Sequence, residues 1–329
     1  MEGNVVNLIG ATKQFVFAAD DKPTANCHAT TLAALADGTI VAAWFGGTEE
    51  GKADVDIWGA IRQDGVWSAP FRIAGKEGVA HWNPVLFADA SGTVHMYYKV
   101  GHVIPEWVTW HCASRDGGRT WSEPAVLVEG DESGGRGPVK NKPIALRDGT
   151  WAAPASVETA THWDAFVDLS ADGGKSWTRS AFVPIDHAAL AGKGIIQPTL
   201  WESEQGRVHM LLRSTEGAVY RSDSGDGGAT WCEAYAIALP NNNSGIDLAQ
   251  LADGGLALVY NPVPGNWAAR SPLVVAWSAD NGATWRDMLT LEAEPGEYSY
   301  PAIVHAGDRL FLTYTWNRVQ VAFWELTLE

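Results

Sequence analysis

Two arginines interrupt segments of otherwise apolar, strand-like sequence. Arg213 lies in LLRST and Arg270 in AARSPLVV, while Tyr298 and Tyr300 lie together in GEYSYPAI. A guanidinium group binds a carboxylate through two parallel hydrogen bonds, and a tyrosine hydroxyl can exchange a proton with a ligand. These residues indicate chemistry on a ligand that carries a carboxylate; for each arginine the alternative is a surface ion pair.

Six short apolar segments each begin with a polar residue. The segments are CHATTL, WNPVLF, NKPIAL, IQPTLW, GIDLAQL and YSYPAIV, and their polar residues are His28, Asn83, Lys142, Gln197, Asp247 and Tyr300. If the segments lie around one axis, these side chains form a ring over a central channel, and we expect this ring to bind a ligand. The alternative is a wettable channel lining that holds only water.

A repeat in the chain supplies the elements that position these residues. The octamers SRDGGRTW, SADGGKSW, SGDGGATW and SADNGATW begin at Ser114, Ser170, Ser224 and Ser278, at intervals of 56, 54 and 54 residues. A second signal, a turn followed by an apolar strand, occurs six times, as in ADGTIVAAW and AGDRLFLTYTW. Because a fixed period of this length marks a repeat architecture, we predict six structural units.

Each unit is predicted to be a small antiparallel sheet. Asp-Gly and related pairs between alternating apolar runs are typical hairpin turns. Sheets repeated at this spacing favour a β-propeller, in which blades surround a central channel. We therefore predict an all-β fold, a six-bladed β-propeller of four-stranded antiparallel blades, with residues 1–329 forming one domain. The segment KQFVFAAD is expected to add an outer strand to the C-terminal blade and close the ring.

The octamer itself is predicted to be a structural turn. Its aspartate and glycines suit a turn that needs positive φ, and its tryptophan packs beneath the turn. The pattern S-x-D-x-G-x-[ST]-W resembles the Asp box of the sialidase (neuraminidase) superfamily. That resemblance implies a box on the blade periphery, away from the catalytic face, so the box indicates the fold and not the activity.

The same resemblance implies roles for individual residues. Sialidases hold the substrate carboxylate with three arginines and use a tyrosine nucleophile assisted by a glutamate. Arg213 and Arg270 are similar in position to the second and third arginines, and Tyr298, in its YS context, to the nucleophile. His28 replaces the first arginine, and Gln197 stands where the glutamate would assist the tyrosine.

A loop and a nearby tryptophan complete the predicted site. Sialidases protonate the leaving group with an aspartate, and the loop FGGTEEGKADVDI covers the corresponding region. The acidic residues that this loop offers are Glu49, Glu50, Asp54 and Asp56, of which we take Glu49 and Asp54 as catalytic candidates. Trp107 falls on a predicted loop near Asn83, where its ring can stack on a sugar face.

Three functions fit these residues. The leading hypothesis is a sialidase-like, exo-acting enzyme that hydrolyses the glycosidic linkage at an acidic sugar terminus. We do not expect a standard sialidase, because one arginine is replaced and Gln197 cannot act as a base. The second is β-elimination at a uronic acid by His28 and Tyr298. The third is a glycan-binding propeller without catalysis, which Gln197 favours. The stretches NKP, SGID and YSYPA resemble those of bacterial and plant BNR-repeat, sialidase-like proteins.

Composition and charge limit the partners. The chain has 23 basic and 39 acidic residues, a formal net charge of −16, and no run of Lys or Arg, which opposes binding to nucleic acid and anionic membranes. The widely spaced Cys27, Cys112 and Cys232 match neither a zinc site nor a disulfide framework, so we expect no metal and no cofactor. The N-terminal residues lack the pattern of a secretory leader, and we expect a cytoplasmic protein acting on an acidic oligosaccharide or glycan.

Overall fold

The computed structural model describes residues 7–329, in which twenty-five strands form six antiparallel sheets. The three short 3-10 helices in connecting segments are Ala19–Asp21, Ile104–Glu106 and His187–Ala189. This arrangement confirms the predicted all-β, six-bladed propeller. Within the described part of the chain, no helix has the length and apolar character needed to cross a membrane.

Blades 1 to 3 follow one another along the chain, and the first strand of each is the innermost. Blade 1 contains β2 (Asn26–Ala34), β3 (Ile40–Gly47), β4 (Asp56–Gln63), β5 (Val66–Trp67) and β6 (Phe71–Ala74). Blade 2 contains β7 (His81–Ala88), β8 (Val94–Val100), β9 (Val108–Ser114) and β10 (Ala125–Val126). Blade 3 contains β11 (Ile144–Ala145), β12 (Trp151–Glu158), β13 (Trp163–Ser170) and β14 (Thr178–Arg179).

Blades 4 to 6 complete the ring. Blade 4 contains β15 (Ile195–Glu204), β16 (Arg207–Ser214), β17 (Ala218–Ser224) and β18 (Tyr235–Pro240). Blade 5 contains β19 (Asp247–Gln250), β20 (Leu256–Tyr260), β21 (Leu273–Ser278) and β22 (Arg286–Glu292). Blade 6 contains β23 (Tyr298–Ala306), β24 (Arg309–Trp316), β25 (Gln320–Leu328) and, as its outer strand, β1 (Leu8–Phe15).

The N-terminal strand closes the propeller, as predicted. In β1, Leu8 pairs with Leu328 and Phe15 pairs with Ala322 of the antiparallel β25. The strand begins at Leu8 rather than at Lys13, the start of the predicted segment. Because the first and last strands of the chain share one sheet, the hydrogen bonds of the last blade hold the ring together.

Apolar side chains between neighbouring blades form the core. The clearest case is β3, in which every residue is buried, including Trp44 and Phe45. The Trp44 ring packs at 5.2 Å from Phe17, and the Phe45 ring packs at 6.1 Å from Trp82 of blade 2. Both faces of the strand are therefore covered, which explains its continuous apolar sequence.

The octamers form one repeated turn. In the first copy, Asp116 accepts hydrogen bonds from the backbone N–H (2.9 Å) and hydroxyl (2.6 Å) of Thr120, and Trp121 Nε1 donates to the Gly118 carbonyl (3.0 Å). Gly117 and Gly118 have φ of 72° and 86°, a region in which glycine is favoured. The turn joins β9 to β10, the two outer strands of blade 2, so it lies away from the axis.

The tryptophan of the third octamer should contribute to stability. Trp231 is 7% exposed and packs in the core of blade 4. We expect Trp231→Ala to lower the free energy of unfolding by about 3 to 5 kcal/mol, because it leaves a cavity. Urea denaturation measures this change. The control is Val66→Ala, at a residue that is 71% exposed, with an expected change within about 0.5 kcal/mol. Equal losses in the two variants would contradict the assignment.

Candidate active site at the start of the inner strands

The inner strands of four blades share a break in pairing. The breaks lie between His28 and Thr31, Trp82 and Val85, Ile196 and Thr199, and Ser299 and Ala302. The residues with positive φ inside them are Ala29 (53°), Asn83 (39°), Gln197 (53°) and Tyr300 (53°). Positive φ is costly for residues other than glycine, and a β-bulge turns a side chain out of its normal direction. The bulge therefore occurs at one equivalent position in four blades, close to where each inner strand begins.

Gln197 and Tyr300, two of these bulge residues, both contact Arg213. The Tyr300 hydroxyl accepts hydrogen bonds from Arg213 Nη1 (2.9 Å) and Gln197 Nε2 (3.2 Å). Gln197 Oε1 accepts a second bond from Arg213 Nη1 (3.1 Å). Since both bonds to the Tyr300 oxygen come from donors, they stabilise negative charge on that oxygen. The hydroxyl proton of Tyr300 is left free to be transferred.

Arg213 is held rigidly in this position. Its Nε donates to Asn243 Oδ1 (2.7 Å), and its guanidinium carbon lies 5.5 Å and 5.4 Å from the ring centres of Trp163 and Trp267. Trp163 is buried, whereas Trp267 is 64% exposed and has a φ of 59°. Nη2 of Arg213 has no protein partner among residues 7–329. The arginine thus presents one free donor beside an exposed aromatic ring.

Two further arginines add positive charge near Tyr300. The guanidinium carbon of Arg270 lies 6.0 Å from the Tyr300 ring centre, and Arg270 Nη1 donates to Glu297 Oε1 (2.8 Å). Arg318, in the turn between β24 and β25, donates from Nε to the same carboxylate oxygen (2.8 Å). Glu297 therefore fixes both guanidinium groups. Arg318 also pairs with Glu50 of the blade 1 loop.

His28 lies behind Tyr300. It is 1% exposed, its Nδ1 is 3.0 Å from Thr315 Oγ1, and its ring centre is 4.3 Å from that of Tyr300. Burial, followed by the charges of Arg318 and Arg270, holds the pKa of His28 well below its ordinary value. At neutral pH the imidazole is therefore uncharged.

A buried lysine closes the floor of the site. Lys140 Nζ donates to Asn141 Oδ1 (2.8 Å) and to the carbonyls of Ile246 (3.0 Å) and Pro301. It lies 6.0 Å from the Tyr300 ring centre. Burial lowers the pKa of Lys140 to about 7, against the opposing effect of Asp247. The ammonium group links segments of blades 3, 5 and 6 under the tyrosine.

Glu158 is a carboxylic acid at the edge of the site. It lies at the end of β12, directly across from Trp163 on β13, the tryptophan that packs on Arg213. The side chain is half-buried and has no hydrogen-bond partner within the described residues. Burial raises the pKa of Glu158, and Arg213 and Lys193 partly offset this shift. Glu158 thus has the character of a proton donor.

One protein-family model matches this chain. A family model for the BNR repeat-like domain matches residues 38–312, which is most of the chain. The chain belongs to the BNR repeat-like domain family. The predicted resemblance to sialidase-like BNR-repeat proteins is thereby confirmed.

Solved structures share the fold of this BNR repeat-like protein. A protein of unknown function from Dyadobacter fermentans has a TM-score of 0.78 at 17% identity, with 100% of both chains covered. A Hadza microbial sialidase, Hz136, has a TM-score of 0.78 at 17% identity and covers 96% of this chain and 68% of its own. The NanB sialidase from Streptococcus pneumoniae has a TM-score of 0.74 at 13% identity, with 95% and 70% covered. No curated protein sequence matches the chain.

Tyr298, the predicted nucleophile of this BNR repeat-like protein, is not brought to Arg213. It is 4% exposed and packs in the core between blades 5 and 6, with its ring 6.4 Å from that of Tyr314. Burial, aided by Glu292, raises the pKa of Tyr298. The bulge after Ser299 reverses the direction of the strand's side chains, so Tyr300 occupies the position that was expected for Tyr298.

Two members of the predicted ring pair with each other instead of facing a ligand. Lys142 Nζ donates to Asp247 Oδ2 (2.9 Å) and to the Leu248 carbonyl (2.8 Å). Asp247 also accepts from Thr199 Oγ1 (2.8 Å) and from the Ile303 N–H (2.9 Å). Lys142 lies two residues before β11, the two-residue inner strand of blade 3. This pair links blades 3 and 5 across the channel, and the substrate-binding role of both residues stays a prediction.

The predicted acids and the predicted aromatic platform lie outside the cluster around Tyr300. Glu49 is exposed and pairs with Lys52 (3.5 Å), and Asp54 accepts from the N–H and hydroxyl of Thr48, both at 3.0 Å. The remaining loop acid, Asp56, pairs with Arg72 at 2.6 Å. Trp107 is 5% exposed, with its ring 5.2 Å from that of Trp82. Asn83 is buried at the bulge position of blade 2.

Proposed function

We propose that this protein is an enzyme that hydrolyses the glycosidic linkage of a carboxylate-bearing sugar at the end of an oligosaccharide. One observation carries the proposal: the Tyr300 hydroxyl receives hydrogen bonds from Arg213 and Gln197 beside two guanidinium groups with free donors. A carboxylate held by those guanidinium groups places the adjoining sugar carbon close to the tyrosine oxygen. The sialidase fold of the solved relatives supports the same class of reaction.

The guanidinium groups serve as the carboxylate site. Arg213 and Arg270 keep donors unpaired among the described residues, and paired donors bind a carboxylate in fork geometry. The exposed Trp267 ring offers an apolar face on which a sugar can stack. Substrate binding therefore combines charge recognition with stacking, in a site that remains positive although the whole chain carries a net charge of −16.

The reaction proceeds by nucleophilic attack of Tyr300. The tyrosine oxygen forms a bond to the anomeric carbon as the bond to the leaving oxygen breaks, and Glu158 gives its proton to that leaving oxygen. His28, neutral and lying against the tyrosine ring, takes the tyrosine proton in place of the glutamate of sialidases. Water then attacks the anomeric carbon of the glycosyl-tyrosine and gives one of its protons to Glu158. The bond to the tyrosine oxygen breaks, His28 returns its proton to Tyr300, and the sugar is released.

Glu158 provides a pH-dependent test of the proton donor. A carboxylic acid donates only while protonated, so activity should fall as the pH rises through the Glu158 pKa, and burial moves this limb to higher pH. We expect Glu158→Gln to remove the alkaline limb and to lower kcat by about 10² to 10⁴ for a poor leaving group. The loss should be small for an activated aryl leaving group, which needs no proton.

The matched control is Glu49→Gln, at an exposed loop acid. Its kinetics should equal those of the parent protein for both leaving groups. If Glu158→Gln keeps the pH profile of the parent protein and the same dependence of kcat on the leaving group, Glu158 is not the proton donor.

One observation favours a second function, β-elimination. The neutral His28 and the adjacent Tyr300 are an acid–base pair suited to removing the proton next to a carboxylate that arginines neutralise. Gln197 also stands where a hydrolase would have a glutamate.

Product analysis separates the two reactions. Aryl glycosides of acidic sugars report hydrolysis by releasing a phenol and a reducing sugar, whereas 4-linked uronate disaccharides report elimination by an unsaturated product that absorbs ultraviolet light. Binding of both substrates without either product would support a glycan-binding protein instead.

A further inference from the structure

A second cluster of reactive side chains lies at the other end of the central channel. Ser203 Oγ is 2.7 Å from His209 Nε2, and His209 Nδ1 is 2.5 Å from Asp223 Oδ1. Ser203 and Gln197 lie six residues apart on β15, a separation of about 20 Å along a strand. The cluster is therefore distinct from the site around Tyr300, and a hydroxyl, an imidazole and a carboxylate in this order can activate the hydroxyl as a nucleophile.

Three adjacent strands of blade 4 hold the cluster. Ser203 lies in the bulge near the end of β15, His209 lies on β16, and Asp223 lies on β17 directly across from His209. The His209 ring stacks on Trp201, with 5.0 Å between ring centres and 24° between planes. Strands in register position the groups more rigidly than loops do.

Hydrogen bonds to Asp223 favour its ionised form, which can orient the His209 imidazole. Asp223 also accepts hydrogen bonds from Arg221 Nε (2.9 Å) and the Tyr235 hydroxyl (2.8 Å). Burial alone would raise the pKa of Asp223, but the hydrogen bonds from His209 and Tyr235 and the charge of Arg221 lower it to about 2. Arg221 Nη2 lies 3.3 Å from His209 Nδ1, and Asn281 Nδ2 lies 3.4 Å from Nε2. An ionised Asp223 favours a proton on Nδ1, and the Asn281 amide favours an unprotonated Nε2 that can take the serine proton.

A cavity gives a substrate access to Ser203. The cavity has a volume of about 620 Å³ and lies where the inner strands end. Ser203 and Arg147 line it together, and Trp201, Leu200 and Leu248 supply apolar wall. Arg147 Nη2 donates to the Ser203 carbonyl (2.9 Å), so a guanidinium lies beside the serine backbone.

We propose that Ser203, His209 and Asp223 form a second hydrolytic site, which cleaves carboxylic esters. Ser203 Oγ attacks the ester carbonyl carbon while its proton moves to His209 Nε2. The tetrahedral intermediate collapses, and the alcohol leaves with the proton from His209. Water then attacks the acyl-serine, His209 takes the water proton and returns it to Ser203, and the carboxylic acid is released. The sum is ester plus water giving alcohol plus acid.

The test uses the full chain, a fluorophosphonate probe and p-nitrophenyl acetate. We expect the probe to add to the peptide that contains Ser203, as detected by mass spectrometry, and ester hydrolysis to exceed that of Ser203→Ala by at least about 100-fold. His209→Gln should lose both properties. Glu49→Gln, at an exposed loop acid, should keep both. Because the assay uses an ester without a sugar, its outcome is independent of the proposed glycosidase function.

Two results would overturn the proposal. One is a fluorophosphonate reaction that leaves Ser203 unmodified. The other is ester hydrolysis by Ser203→Ala at the parent rate. Either outcome would show that the hydrogen bonds among Ser203, His209 and Asp223 only tie the three strands together. The serine lies half-buried on a hairpin, so the alanine variant should fold, and circular dichroism checks this.

Discussion

Tyr300→Phe is expected to lower kcat on an acidic glycoside by about 10³-fold or more, because the hydroxyl that forms the covalent bond is removed. Phenylalanine keeps the ring contacts with His28 (4.3 Å between centres) and with Arg213 (5.9 Å from its guanidinium carbon). Substrate affinity should therefore change little. Steady-state kinetics combined with calorimetric titration of a substrate or product separates these two effects.

Tyr298→Phe is the matched control for this experiment. The two tyrosines are two residues apart in the same strand, but Tyr298 lies in the core between blades 5 and 6. We expect the kcat of Tyr298→Phe to equal that of the parent protein. Loss of turnover in Tyr298→Phe, together with full activity in Tyr300→Phe, would restore the assignment made from the sequence and refute the site described around Tyr300.

Arg213→Gln is expected to lower kcat/KM by about 10³-fold, or about 4 kcal/mol, since a desolvated guanidinium that binds a charged group is lost. Arg213 also holds Tyr300 and Gln197 in place, so kcat and KM should both change. Kinetics on the parent acidic glycoside measures the total effect.

A neutral substrate analogue isolates the contribution of the carboxylate. The analogue carries a hydroxymethyl group where the acidic sugar carries its carboxylate, and Arg213→Gln should change its kcat/KM much less than that of the acid. This difference is the coupling energy between the arginine and the carboxylate. Equal losses for the acidic and neutral substrates would mean that Arg213 does not bind the carboxylate.

The fold could be predicted from the sequence because its signal is repeated. Each hairpin turn and octamer is a weak indicator alone, but four octamers at a nearly constant interval specify blades, and six turn-strand units specify their number. The closure by β1 was inferred by analogy with other propellers, and the pairing of β1 with β25 confirms it. The structure differs from the prediction in the bounds of that strand and in the fifth strand of blade 1.

The site could be predicted only in part because it depends on backbone irregularities. A regular strand alternates its side chains, and a bulge changes which residue faces the axis. Arg213, Gln197 and Tyr300 fell on recognisable segments, and the structure brings them together. The sequence does not show the bulge after Ser299, so Tyr298 and Tyr300 could not be distinguished by pattern.

Other site residues carried no sequence signal. Arg318 comes from a hairpin turn, where an arginine is usually a surface charge, and Glu158 ends a strand of blade 3. Their roles arise from contacts across blades: Arg318 shares Glu297 with Arg270, and Glu158 lies opposite Trp163. Such contacts depend on how the ring closes and not on local sequence.

Covalent trapping tests the central claim most directly. The probes are a 2,3-difluoro derivative of a 2-keto acid sugar and a 2-deoxy-2-fluoro uronosyl fluoride, whose fluorine substituents slow breakdown of a glycosyl-enzyme. After incubation and proteolysis, we expect one of them to add its glycosyl mass to Tyr300 in the parent protein and to no residue in Tyr300→Phe. A label on Tyr298, or turnover of the parent acidic glycoside by Tyr300→Phe at the parent rate, would contradict it.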